Sequence, residues 1–569
     1  MMFATFIKPN DLAQRIDPEH HSPELLEMKR LVQSRFPTST FRKECSRMNS
    51  GPFGSALLSS AYVSKHQGVL FVRPQDCKNL IVDDDNDNVY ISFEDNNRLK
   101  SSKFKTGSII ITKIGNGIGE MAVLPNNIDE CNISGNAMGA VLKGHDSYFA
   151  VSFLRGKYGQ AEVKRGLSGG AKPKIDMESI GSIVFPLVNE VAQKYIGNKV
   201  RQAEKLRVWA KRLYRTPAFI DAFIQGALPL SLTDSLFSLI KSSNNDAIKE
   251  LTKFLALNIE DAQMKQNFQD FIEKNKMGSV DIEREFFHIN TVSTLAIEDF
   301  LSAQTYRPAI TDAFDKITSK KFSTLQSISL EPIRQGATPK FSAIGKKCIK
   351  SKQTRDLFLD ETGYEIVDPD DEQNKRIVRL KRNDILVTRQ GAGTVGRASI
   401  FLDDEETYIT DSLFLVRIDP VKANPAFVAG FLRSYTGQRL IEKGVYGSTG
   451  QLNLSSTALR NIPILDVPLE FQNFLGETLC TADTLFKLST RLTQSAKTLV
   501  EALIEGQLTE QQLIQAQQSL EDGDNSLDQA ILSKLSAEGY AIEGATPLFS
   551  DVDELYSLLG EAAQAEAEE

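Results

Sequence analysis

The sequence predicts an α/β chain of the mixed α+β kind, built as two similar globular halves that are each followed by a long helix. Three observations predict this. First, one phrase is written twice. Residues 380–401 run from a polar turn into a β-branched strand, Ile385 to Thr388. They continue through a loop with Gly391, Gly393 and Gly396 into a second strand, Ala398 to Phe401. Residues 104–124 repeat the phrase around Gly115, Gly117 and Gly119. Second, the match continues at a nearly constant offset. Phe153-Leu154-Arg155, Gly159, Gln160 and Gly166 pair with Phe431-Leu432-Arg433, Gly437, Gln438 and Gly444. Gln193 and Gly197 pair with Gln472 and Gly476, and Gly226 with Gly506. Self-similarity on this scale marks one structural unit used twice. Third, each half is rich in short apolar runs between Gly, Asn and Asp turns, and a stretch with few helix breakers follows it.

In chain order, residues 1–40 read as an arm and a helix, with Leu25, Met28, Leu31 and Val32 at helical spacing. Pro23 answers to Pro308 in the second copy. Residues 41–187 hold the first sheet, including a buried strand from Gly68. A helix is expected from Val188 to Gln225, with Pro217 as its kink or junction. Residues 229–284 are rich in helix formers and broken once at 242–245. The second half begins at Phe322, where a strand at Gly345 to Lys350 replaces the first-half strand. The second long helix spans about Glu470 to Glu505, with a broad apolar stripe at Leu479, Ala482, Leu485, Leu492 and Leu499. Residues 508–569 form an acidic extension whose end, from Gly560, reads as disordered.

These features resemble the specificity subunit of type I restriction–modification systems. The resemblance rests on the repeated strand/Gly-loop phrase, the Phe-Leu-Arg helix ending in Gly-Gln, and the loop from Gly447 to Gln451. The helix entry at Pro468, Leu469 and Gln472 is the last element. It implies target-recognition domains at 1–187 and 285–468 and spacer helices at 188–228 and 469–507. The segments at 229–284 and 508–569 are longer than the family pattern. The two helices would pack as an antiparallel coiled-coil spacer that fixes the gap between two half-sites. A helix of about 36 residues is about 54 Å long.

Composition bounds the function classes. The chain has 569 residues, 41% hydrophobic and 25% charged, as in a soluble globular protein. No apolar run of about 18 residues occurs, and the first ten residues carry no secretory pattern. Five scattered cysteines fit reduced thiols, so a cytoplasmic setting is expected rather than a disulfide or zinc framework. The net charge of −8 is unevenly spread. From Gln507 onward fourteen Asp/Glu stand against Lys534, a net of −13 that leaves the remainder at +5.

Three motifs invite catalysis and are better explained otherwise. Gly391, Gly393 and Gly396 match a dinucleotide fingerprint as a string, but a strand follows where a helix is required. Asn424-Pro425-Ala426-Phe427 resembles an amino-methyltransferase motif with the wrong third residue, and reads as a helix start. Asp368-Pro369-Asp370 with Glu372 and Lys375 lacks nuclease spacing and reads as a loop. The acidic stretch 82–88 lacks the glycine and the terminal Glu of a calcium loop and reads as solvated. No catalytic residue and no metal ligand is expected.

Base-edge reading needs Arg, Lys, Asn or Gln on loops. The candidates are Lys113, Asn116, Arg165, Lys172 and Lys174 in the first half. In the second they are Arg334, Lys340, Arg389, Gln390, Tyr446, Ser448, Thr449 and Gln451. The resemblance implies a non-catalytic subunit that reads a bipartite site in double-stranded DNA. Its partners would be adenine-methyltransferase subunits and an ATP-dependent restriction–translocase subunit. S-adenosylmethionine would then sit on the methyltransferase, with no cofactor on this chain. Two other readings stand beside it: a structural adaptor that does not read DNA, and recognition for a type I-like phage-defence complex with other effectors.

Overall fold

In the computed structural model, residues 18–567 are described apart from 53, 83–87, 116, 170–172, 243–245, 276–288, 295–296, 298–301, 361, 372–373, 375, 392 and 448–451. The chain divides into two compact units. One comprises residues 1–207 with 487–564, and the other residues 208–486 with 565–569. The first unit therefore draws on both ends of the chain.

In the first unit a four-stranded antiparallel sheet runs in the order Cys45–Ser50, Ala137–Leu142, Ile109–Thr112, Met121–Val123. A five-stranded sheet accompanies it, in the order Tyr62–Val63, Tyr90–Ser92, Gly68–Val72, Glu130–Ile133, Lys103–Lys105. Its central pair, Gly68–Val72 with Glu130–Ile133, is parallel. Such a pair is buried on both faces, so its residues read as a continuous apolar run. Leu70, Val72, Phe104, Ile110, Ala122, Cys131 and Ile133 form the core.

The second unit repeats this plan. Arg334–Gln335, Leu413–Val416, Ile385–Thr388 and Ala398–Ile400 form its antiparallel sheet. Glu365–Val367, Phe341–Ile349, Thr407–Ile409 and Val378–Arg379 form the mixed one, again with a single parallel pair. Ile349, Leu386, Phe401, Ile409, Leu413 and Leu415 fill its core. A strand follows each glycine loop, Met121–Val123 and Ala398–Ile400, as the sequence requires.

The helices explain the repeated residues. Pro23 and Pro308 open Pro23–Arg35 and Pro308–Thr318, the position where a missing N–H is harmless. Asn424 caps Pro425–Arg433 by accepting from Phe427 N, and Asp146 caps Ser147–Arg155 in the same way. Two helices meet after each Phe-Leu-Arg, and the glycine at the junction is required. A Cβ on Gly437 would lie 2.0 Å from the Phe431 carbonyl oxygen, and one on Gly159 2.4 Å from that of Phe153. Gln193 and Gln472 each tie the long helix back to the cap. Their Oε1 atoms accept from Asp146 N (3.0 Å) and Asn424 N (3.1 Å).

The expected first long helix is two helices, Glu190–Leu213 and Thr216–Gln225, with Pro217 in the first turn of the second. The other is one helix, Leu469–Glu505. Within the first unit the two runs are antiparallel: Ser489 Oγ donates to Ala203 O, and Glu510 at the far end accepts from Asn189 N. Within the second, Tyr214 stacks edge-on to Phe486 while Pro217 and Leu479 both lie beside Gly430.

Two expectations change. The described residues of 229–275 form three helices, Leu230–Lys241, Asp246–Leu255 and Ala262–Lys274, with a break between the last two that sequence did not show, where Leu257 adopts a left-handed backbone (φ 64°). Residues 560–567 are not disordered as composition suggested. They belong to the helix Val552–Ala567, which buries Leu555 and Ala562 two turns apart. Alanine and glutamate favour helix here, and the apolar stripe has a surface to cover.

Candidate nucleic-acid interface

In each unit the glycine loop is closed on itself and pinned from behind. Gly119 N donates to Thr112 O in the first unit, and Gly396 N to Thr388 O in the second. The glutamine after the helix junction then holds the loop. Gln160 Nε2 donates to Gly119 O (3.0 Å) and Leu154 O (2.8 Å). Gln438 Nε2 donates to Gly396 O (3.3 Å) and Leu432 O (2.7 Å). The arginine of each Phe-Leu-Arg reaches another loop of the same unit. Arg155 donates to the Cys77 and Lys78 carbonyls, and Arg433 to that of Arg355.

A second loop is laced to the front of the first. In the first unit Ile175 N donates to Lys113 O, and Ile114 bridges Lys174, whose backbone pairs with Ser168 to close the 168–174 loop. In the second, Leu454 N donates to Arg389 O, Gly391 N donates to Leu452 O, and Gln390 bridges Asn453. Val445–Tyr446 pairs with Asn453–Leu454, closing the loop between them. The same cradle is thus built twice from different side chains.

Lys113 and Lys174 stand together on the first cradle. Lys174 is exposed; Lys113 is half-buried, and burial lowers the pKa of its ammonium. Arg389, Gln390 and Tyr446 stand on the second. Tyr446 is exposed, whereas Arg389 is half-buried. Arg389 Nε donates to Asp411 O (2.8 Å), and its Nη2 donates to Gln390 Oε1 (2.7 Å). Thr338 donates to the Asp411 carboxylate (2.6 Å), which brings the 334–340 segment to the same place. Arg334 and Lys340 are exposed on that segment. Arg334 lies 3.6 Å from Glu331, which bonds Arg417 more closely at 2.8 Å.

Arg165 is a correction. It is buried, with Nη1 on Glu162 (2.5 Å) and Nε on the His20 carbonyl (3.0 Å). Those bonds tie the N-terminal arm to the helix and leave no guanidinium for a ligand. Asn116, Lys172, Ser448, Thr449 and Gln451 lie outside the described residues, as do 83–87 of the acidic stretch, Glu372 and Lys375. Asp368 to Asp371 form a tight turn whose Asp371 carboxylate accepts from Lys340 N. Among the described residues, no three His, Cys, Asp or Glu side chains are grouped to hold a metal, and no helix is long and apolar enough to cross a membrane.

No family model and no curated protein matches the chain. Solved structures do. A type I restriction–modification S subunit from M. genitalium is 12% identical, with 82% of this chain and 95% of that one covered and a TM-score of 0.37. The HsdS subunit from Thermoanaerobacter tengcongensis is 12% identical, with 83% and 97% covered and a TM-score of 0.26. A chain from a structure of a type I R-M system in assembly and conformational transition is 12% identical, with 83% and 98% covered and a TM-score of 0.28.

Proposed function

We propose that this chain is the DNA-recognition subunit of a type I or type I-like restriction–modification or phage-defence complex. One observation carries the reading. Both units hold a glycine loop and a second loop in one cradle through the same glutamine and glycine anchors and matching backbone bonds, while the side chains on the loops differ. A constant frame with changed loops is what two domains need to read two different half-sites. Lys113 and Lys174 would serve the first half-site, and Arg334, Lys340, Gln390 and Tyr446 the second. Base edges specify and phosphate contacts position. The reading assigns no reaction to this chain: methyl transfer belongs to an adenine-methyltransferase subunit carrying S-adenosylmethionine, and any ATP-driven step to a third subunit. The long helices would set the spacing of the bipartite site.

The test is a modification map of the host genome with and without this gene. N6-methyladenine at a split motif should vanish on deletion, and exchange of residues 322–468 for those of a relative should change one half of that motif only. Identical maps with an active methyltransferase present would instead favour the adaptor reading.

A further inference from the structure

Among the described residues, the mixed sheet of the second unit carries a feature with no counterpart in that of the first. Phe341–Ile349 pairs with Glu365–Val367, but Phe341 and Lys346 both oppose the single residue Val367. Four residues, 342–345, stand out of the ladder. The protrusion is built rather than slack. Gly345 sits at φ 143°, and a Cβ there would lie 1.9 Å from the Val367 carbonyl oxygen, so only glycine lets the strand close beneath it. Ser342 Oγ spans the base, donating to Ile344 O (2.5 Å) and accepting from Ile344 N (3.2 Å). The tip is Ile344, 79% exposed. Bulges normally re-aim a side chain, and this one aims an isoleucine at solvent.

Its surroundings carry both charges: the Asp368–Asp371 turn lies beside it, with the Asp371 carboxylate accepting from Lys340 N, and four lysines flank it. Lys347 pairs with Glu405 and Lys350 with Glu365. Lys340 and Lys346, one on each side of the protrusion, are exposed and have no ion pair among the described residues. The protrusion starts four residues beyond Thr338, which shares Asp411 with Arg389 of the cradle. An apolar tip between unpaired lysines suits a groove: the lysines meet phosphates and the apolar side chain enters between bases. Apolar wedges of this kind unstack a step and bend the duplex.

We propose that Ile344 is a wedge that enters duplex DNA beside the second half-site, with Lys340 and Lys346 on the flanking phosphates. This rests on the DNA-reading function above. Its sequence preference would come from the deformability of the step it opens, a form of readout that leaves no hydrogen-bonding signature. The full-length chain, purified with any subunit it carries, would first select duplexes from a random pool. The selected duplex, end-labelled for bending and carrying 2-aminopurine across the second half-site, then serves as the probe. Ile344→Ala should lose the unstacking signal and the bend, weaken binding on the order of tenfold, and relax selection at a few positions of one half-site. Ile344→Leu should retain all three. Lys340→Gln with Lys346→Gln should weaken every sequence alike and lower the salt slope by about two. Because Ile344 is exposed, its loss should leave stability unchanged. Unaltered bending, affinity and preference in Ile344→Ala would overturn the wedge while leaving the DNA reading intact. A wild-type chain with no salt-dependent duplex binding would overturn both.

Discussion

Gln160 and Gln438 do more than their polarity suggests. Each donates two bonds from one buried or half-buried amide, one to its own helix junction and one to the third glycine of the loop in front. Replacing Gln438 with Ala should cost about 1–2 kcal/mol in chemical denaturation, because two carbonyls lose their donor, and should reduce duplex affinity as the loop loosens. Arg334→Gln on the exposed segment should move stability by less than about 0.5 kcal/mol while still reducing affinity. These residues show what the sequence made legible. The glutamines, the junction glycines and the Asp146 and Asn424 caps stand out because both copies need them for one frame. Loop side chains carry no such pressure, so residue type alone selected them. Arg165 failed as a candidate because its partner carbonyl, on His20, comes from 145 residues away. The Ile344 protrusion escaped notice because its strand reads as regular until Val367 is placed opposite both of its ends.

At the scale of elements, the helix after each Phe-Leu-Arg is capped by a carboxylate from another helix, Leu469–Glu505 in the first unit and the short Thr216–Gln225 in the second. Glu501 accepts from Lys157 N in the first unit. Asp221 accepts from Thr436 N and from the Thr436 hydroxyl in the second. Asp221 is fully buried, and burial raises its pKa to about 7 against the pull of those donors. The sign follows directly. An acid whose folded pKa lies above its unfolded value, about 4, holds its proton longer in the folded state. Stability therefore falls as pH rises from about 4 to about 7. Thermal unfolding across that range should show the wild-type chain losing ground relative to Asp221→Asn, whose amide stays neutral and whose Oδ1 can still accept the Thr436 N–H. Parallel pH profiles for the two proteins would show that Asp221 does not titrate there.

At the scale of the whole molecule, the described residues of 229–275 and 508–567 are largely helical and packed within their units. In the second unit Arg215 donates to Leu255 O, and Phe219 lies against Phe254 and Phe268. In the first, the acidic tail docks on Glu190–Leu213. Lys199 and Asp528 form an ion pair with both side chains 1% exposed, joined by the Tyr195 and Tyr556 hydroxyls. Burial pushes the Asp528 carboxyl up, and Lys199 with the two tyrosines more than offsets this. Lys199→Met should destabilise the first unit by about 3–5 kcal/mol, because it strands a buried carboxylate, whereas Lys199→Met with Asp528→Leu should recover most of the loss. Denaturation of the single and double variants measures both. Composition marked only the end of this tail, from Gly560, as disordered, and its acidic excess hides the few side chains that anchor the rest.

The division of the chain also sets an order of events. The second unit is drawn almost entirely from the continuous run 208–486, whereas the first needs 487–564 to close upon 1–207. During synthesis the chain therefore carries its N-terminal unit without the helices of 487–564 while the second unit is completed. A ribosome that stalls after residue 486 would release one finished domain and one open one, with the apolar face of Glu190–Leu213 uncovered. Non-local closure of this kind is slow and exposes apolar surface while it waits. The first domain to emerge is the last to be sealed, and the acidic tail is the piece that seals it.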